Sequence, residues 1–131
     1  MIIYTPVDIE EEIRAALAKY FTVYVRPLPA NFAVPCLLVT ATGGTSKNKI
    51  DAFTVVIDAR AETAAAADQL AREALGALEE LARQQEGALR FVELNALANW
   101  KTDPVRPELE LRTITAQVIA HRKSVEIQER N

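Results

Sequence analysis

Residues 35–60 read PCLLVTATGGTSKNKIDAFTVVIDAR, and the alternation of this stretch decides the fold. Cys36 to Thr42 is almost continuously apolar, the pattern of a strand covered on both faces, and Gly43-Gly44 marks its expected end. Ala52 to Asp58 resumes the strand pattern. Two antiparallel strands joined by a long hairpin loop are therefore expected, with Thr45-Ser46-Lys47-Asn48-Lys49 at its tip. A loop longer than a tight turn requires either carries function or is a floppy insertion.

Upstream, Val23, Tyr24 and Val25 predict a short strand stopped by Pro27 and Pro29, which cannot donate to a ladder. Before it, Thr5-Pro6-Val7-Asp8 reads as a helix start capped by Thr5. Ile9, Ile13, Ala16, Leu17 and Tyr20 then form one apolar stripe, with Glu10, Glu11, Glu12, Arg14 and Lys19 on the other side.

Downstream, a helix of about six turns opens at Thr63 and closes at Gly87. Its stripe is Ala67, Leu70, Ala71, Ala74, Leu75, Leu78, Leu81 and Ala82. Asp68 with Arg72 and Glu79 with Arg83 stand four apart and mark a solvent side. Gly76 costs about 1 kcal/mol against alanine, for which close packing on a sheet is the expected compensation.

Leu89 to Leu97 reads as a further strand, followed by a proline-punctuated crossing from Asn99 to Pro107. Trp100 in that crossing either plugs the end of the domain or anchors a partner. The last strand runs from Leu111 to Arg122, with Ile114, Ala116, Val118 and Ala120 facing inward and Thr113, Thr115, Gln117 and His121 facing the other way. Residues 123–131 are polar and unpatterned, a tail expected to be flexible. The sum is one α+β domain over residues 1–122, in the order α-β-β-β-α-β-β, with a mainly antiparallel sheet of about five strands backed by two helices.

Bulk composition narrows the function classes. With 131 residues, half of them apolar, the chain can bury a real core. A net charge of −3 gives no basic face for gripping a phosphate backbone, so sequence-specific nucleic-acid binding is not expected. The apolar run from Val34 to Ala41 is far shorter than a membrane span needs, and Met1 to Pro6 has no signal-peptide pattern. One cysteine allows no intramolecular disulfide, which suits a reducing cytoplasm.

Catalysis needs residue types that can converge, and few are present. His121 is the only histidine, expected at a sheet face or rim rather than as a base. Cys36 lacks a cationic neighbour in sequence and reads as a buried structural thiol. One Cys and one His cannot supply four zinc ligands, and Glu10-Glu11-Glu12 reads as a solvated helix face rather than a calcium loop. Gly43-Gly44-Thr45-Ser46-Lys47 lacks the spacing of a phosphate-binding loop and precedes a strand. No catalytic residue, metal or cofactor is expected.

The strand Pro35-Cys36-Leu37-Leu38-Val39, the Gly43-Gly44 loop, Val55-Val56-Ile57-Asp58-Ala59-Arg60-Ala61 and the closing Arg112-Thr113-Ile114-Thr115-Ala116-Gln117-Val118 together resemble the tail-terminator and tail-completion proteins of long-tailed phages. The resemblance spans nearly the whole chain and rests on element order, length and punctuation. It implies a structural, non-enzymatic subunit that forms a hexameric ring, caps the tail tube and offers a surface for head attachment. Its partners would be copies of itself, the tail-tube protein and a head-completion or connector protein. It would be found in the host cytoplasm during assembly, then at the tail–head junction of the virion. By position, the resemblance places Gly43, Gly44, Thr45, Lys47, Asn48 and Lys49 of the hairpin, with Thr113, Thr115 and Gln117 of the outer sheet face, at subunit or tube contacts. Another neck component, or a small ligand-binding α+β domain with a pocket between sheet and helices, would use much the same architecture.

Overall fold

The computed structural model describes residues 1–130. The elements are β1 (Ile2–Thr5), α1 (Ile9–Leu17), β2 (Val23–Val25), β3 (Cys36–Lys47), β4 (Ile50–Ala61), α2 (Ala64–Arg83), β5 (Leu89–Thr102), β6 (Glu110–Ala120) and β7 (Lys123–Glu126). Five strands form a sheet in the order β2-β3-β4-β6-β5, antiparallel except for the parallel β2–β3 pair. Strands β1 and β7 form a separate two-stranded ribbon. The α+β architecture with two helices therefore stands, with short strands added at both ends of the expected order.

Both helices lie on one face of the large sheet. Ile9, Ile13, Ala16 and Leu17 of α1, and Ala67, Ala71, Ala74, Leu78, Leu81 and Ala82 of α2, bury against it. The sheet contributes Leu37, Val39, Val55, Ile57, Ala59, Ile114, Ala116 and Val118, the alternate residues of β3, β4 and β6. Because side chains alternate across a strand, the residues between them form the outer face.

Several local expectations change. Helix α1 is capped by Asp8, whose carboxylate accepts the Glu11 N–H at 3.3 Å, because Thr5 is committed to β1. It ends at Leu17, so Tyr20 falls beyond the stripe and is exposed. Thr63 caps α2 as expected, accepting the Ala66 N–H at 3.2 Å, but the helix ends at Arg83 and Gln85 takes the left-handed turn before Gly87 does. Asp68 bonds Arg112 of β6 at 2.6 Å rather than Arg72, and Arg83 pairs with Glu80 rather than Glu79. Gly76 does not pack closely: it is exposed, and a Cβ built there meets nothing within 4 Å.

The segment expected to be an unpatterned tail begins with β7, where Lys123–Glu126 pairs residue by residue with Thr5–Ile2. Met1 and Ile127 extend this ribbon with reciprocal bonds at 3.0 and 2.9 Å, and Lys123 reaches Glu12 of α1. Asn131 lies outside the described residues.

Candidate assembly surface

The largest departure from expectation lies in the hairpin. Residues Gly43–Lys47 continue β3, and only Asn48 and Lys49 make the turn, both with positive φ (54° and 63°). Two such residues match the twist of the flanking strands, so a tight turn replaces the expected long loop. The sequence cue misled because a glycine pair usually ends a strand. Here Gly43 and Gly44 stay in the strand at positive φ, 139° and 153°, a conformation that residues with a side chain rarely adopt, just past a bulge between Ala41 and Gly43. Gly44 has a steric reason to be glycine, since a Cβ there would sit 2.3 Å from the Ala52 carbonyl oxygen.

The hairpin is held firmly. Arg122 donates two bonds to the Asp51 carboxylate, both at 2.9 Å, and a third to Ser46 Oγ at 3.0 Å. The Arg122 bonds to Asp51 outweigh the effect of burial and hold its carboxyl below its ordinary range. Nothing in the local sequence marked Arg122 for this role, because it stands 71 residues from Asp51.

The opposite end of the outer face is covered by a second small core of Phe32, Cys36 and Leu109. Beside it, Asp103 is fully buried and accepts Arg60 Nε at 2.8 Å, the Val105 N–H at 2.9 Å and the Arg106 N–H at 3.3 Å. Burial alone would raise this carboxyl; the three donors outweigh burial and lower it. The Arg60 and Arg106 guanidinium groups stand 5.7 and 5.1 Å from the centre of the Phe32 ring. This latch ties the β2–β3 link to the β5–β6 link. Burial also pushes the Cys36 thiol up to about 11, as a structural thiol requires.

Between latch and hairpin tip the outer face carries no helix. Its rows follow from the register: Leu38, Asp58, Thr113 and Asn99; then Thr40, Val56, Thr115 and Ala96; then Gly43, Thr54, Gln117 and Glu93. Gly43 and Gln117 thus share one row, while Thr113 lies four residues further along β6, about 14 Å away. Thr113 is buried and donates to Asp58 Oδ1 at 2.7 Å, which leaves Thr115 and Gln117 as the accessible polar residues of the strand's outer face. Lys47, Asn48 and Lys49 are exposed at the tip, and Thr45 is exposed in its outer row. The nine residues form a line from tip to mid-sheet rather than one compact cluster.

Most of the large exposed apolar side chains lie on β5 and the ribbon. Trp100 is 64% exposed, so it does not plug the domain, and Phe91 and Leu97 of the same strand are 54% and 75% exposed. Met1, Ile2, Tyr4, Val125 and Ile127 are exposed on or beside the ribbon.

An open groove of about 540 Å³ runs between Pro6–Glu10 and the Gly43–Ser46 side of β3. Within it Glu10 accepts the Ala41 N–H and Arg26, each at 2.8 Å. Burial would raise its carboxyl, yet the Ala41 N–H and Arg26 hold it lower. Glu12 accepts the Ala88 N–H at 3.3 Å, so two of the three expected surface glutamates are structural ties. His121 is exposed and lines a different open groove with Tyr4, Lys49, Arg90 and Arg122, with no carboxylate in its wall. Among the described residues no group of three or more His, Cys, Asp and Glu is placed to hold a metal ion, and no helix is long and apolar enough to cross a membrane. No protein-family model matches the chain, and neither does any curated protein.

Proposed function

We propose that this chain is a structural subunit of the tail-terminator type, which assembles with its own copies into a ring, most simply a hexamer, that caps a phage tail tube and then receives the head. The observation that carries the reading is the bare outer face between the latch and the clamped hairpin, flanked along β5 by exposed Phe91 and Leu97. A flat array of small threonines beside large exposed apolar groups is the surface of a protein whose burial is completed by partners. The tube protein and a head-completion or connector protein are the partners proposed beyond the chain itself. The proposed location is the host cytoplasm during assembly and the tail–head junction in the virion. No catalysis is assigned. A role as another neck component makes the same demands on these surfaces.

The test is tube length. Tail-tube protein encoded by the same genome is polymerised with and without the chain, and the tubes are measured by electron microscopy. Termination predicts tubes that stop growing when the chain is added. Unchanged growth with bare ends would reject it.

The groove beside α1 favours a second reading, a ligand-binding domain, because its volume falls within the range of small-molecule sites. A thermal-shift screen separates the two: a metabolite that raises the melting temperature by several degrees supports ligand binding.

A further inference from the structure

Resting on the ring reading, we infer that neighbouring copies join arm to groove: the acidic outer end of the β1–β7 ribbon in one copy, residues 125–129, seats in the basic groove at the base of the ribbon in the next. The groove, about 530 Å³, opens at the hairpin end of the sheet. Its floor is apolar, made by Ile50, Ile119 and Tyr4. Ile119 projects to the outer face because Val118 and Ala120 on either side of it turn into the core. Around that floor stand Lys49, Arg90, His121 and Arg122, and no carboxylate lines the wall.

Little of this charge is neutralised within the molecule. Arg122 is matched by Asp51. Arg90 donates its Nη1 to the carbonyl oxygens of Gln85, Gly87 and Leu89 at 3.4, 2.8 and 2.7 Å, so it is held in place by groups that leave its positive charge uncancelled. Among the described residues, Lys49 and His121 make no ion pair. In a chain of net charge −3, such a groove is a local positive field that attracts an acidic segment.

The ribbon supplies that segment. Its outer end carries Val125, Glu126, Ile127 and Glu129, all exposed, with Val125 and Ile127 each 40% exposed. Glu126 and Glu129 make no ion pair among the described residues. Ile127 matches the apolar floor, and the glutamates on either side of it match the cationic rim. Chain geometry selects a second copy as the owner of the groove. Tyr4 lines the groove and pairs with Ser124, and no ribbon residue beyond Tyr4 lines it. Ile127 lies three residues further along β7 than Ser124, about 10 Å away, and is tied there to Met1, so the arm leads away from its own groove. Each copy offers one arm and one groove, so the contact is head-to-tail and closes into a ring if the rotation allows.

Charge exchange tests the contact at four exposed positions: Glu126→Lys with Glu129→Lys reverses the arm, and Lys49→Glu with His121→Glu reverses the groove. Circular dichroism and melting curves confirm that each variant is folded. Each reversed pair is expected to lower ring occupancy at tube ends at least tenfold. Combining all four substitutions in one chain, or mixing the two variants in equal amounts, is expected to restore it, because arms again meet grooves of opposite charge. A second measurement needs no variant: hydrogen exchange over residues 125–129 of the native chain should slow on tubes. Rings that survive either reversal, a loss that neither combination restores, or exchange unchanged from the free chain overturn the arm contact while leaving the ring reading in place. A native chain that leaves tube ends bare overturns both.

Discussion

Asp103 has no exposed surface and faces a guanidinium with only 4% exposure, so this pair is the most sensitive point in the molecule. Removing one partner strands the other charge in the interior. Asp103→Ala is expected to destabilise the fold by about 3–5 kcal/mol in urea denaturation, and replacing both Arg60 and Asp103 by apolar residues of similar volume should cost less. The folded carboxyl lies below its ordinary value of 3.8. Its contribution is therefore complete above that value and is lost as pH falls through the lower folded value. Urea midpoints measured from neutral pH downward should decline below about pH 4 in the native chain, and less steeply in Asp103→Asn. Cys36, buried and with its thiol held near 11, should react with a thiol reagent only after unfolding. Rapid native-state labelling would contradict the burial described.

At the scale of elements, α2 offers the simplest check. Gly76 is exposed with open space where a Cβ would stand, so Gly76→Ala should stabilise the protein by about 1 kcal/mol, read as a melting temperature a few degrees higher. The helices, and the apolar halves of β3, β4 and β6, were legible in the sequence because their burial imposes a regular period over many residues. The ribbon was not. Strands β1 and β7 are four residues each, largely exposed, and stabilise one another across more than 100 residues of chain, so no local period records them. The distal half of β3 was hidden for a different reason. Its glycines stay in the strand at positive φ beside a bulge, and the clamp on the neighbouring Ser46 and Asp51 comes from distant Arg122. The tip lysines and Thr115 were legible as exposed or half-exposed polar positions, whereas Thr113, read as outward-facing too, is buried by its bond to Asp58, a partner 55 residues away in sequence. The exposure of Phe91, Leu97 and Trp100 was not, because an edge strand and a core strand use the same residue types.

For the whole molecule, the two helices cover one face of the sheet, and the latch covers one end of the other. What remains is an outer field of threonines, two open strand edges and a ribbon with apolar side chains in solvent. An isolated two-stranded ribbon is marginal in water, so a docked ribbon is the state its exposed Ile2, Tyr4 and Val125 favour. Electron microscopy of tail tubes mixed with the native chain addresses the central claim most directly. The account predicts a ring of density at one end of each tube, built from several copies and absent when the chain is omitted. Tube ends identical with and without the chain, and a chain that remains a monomer in solution beside them, would contradict it.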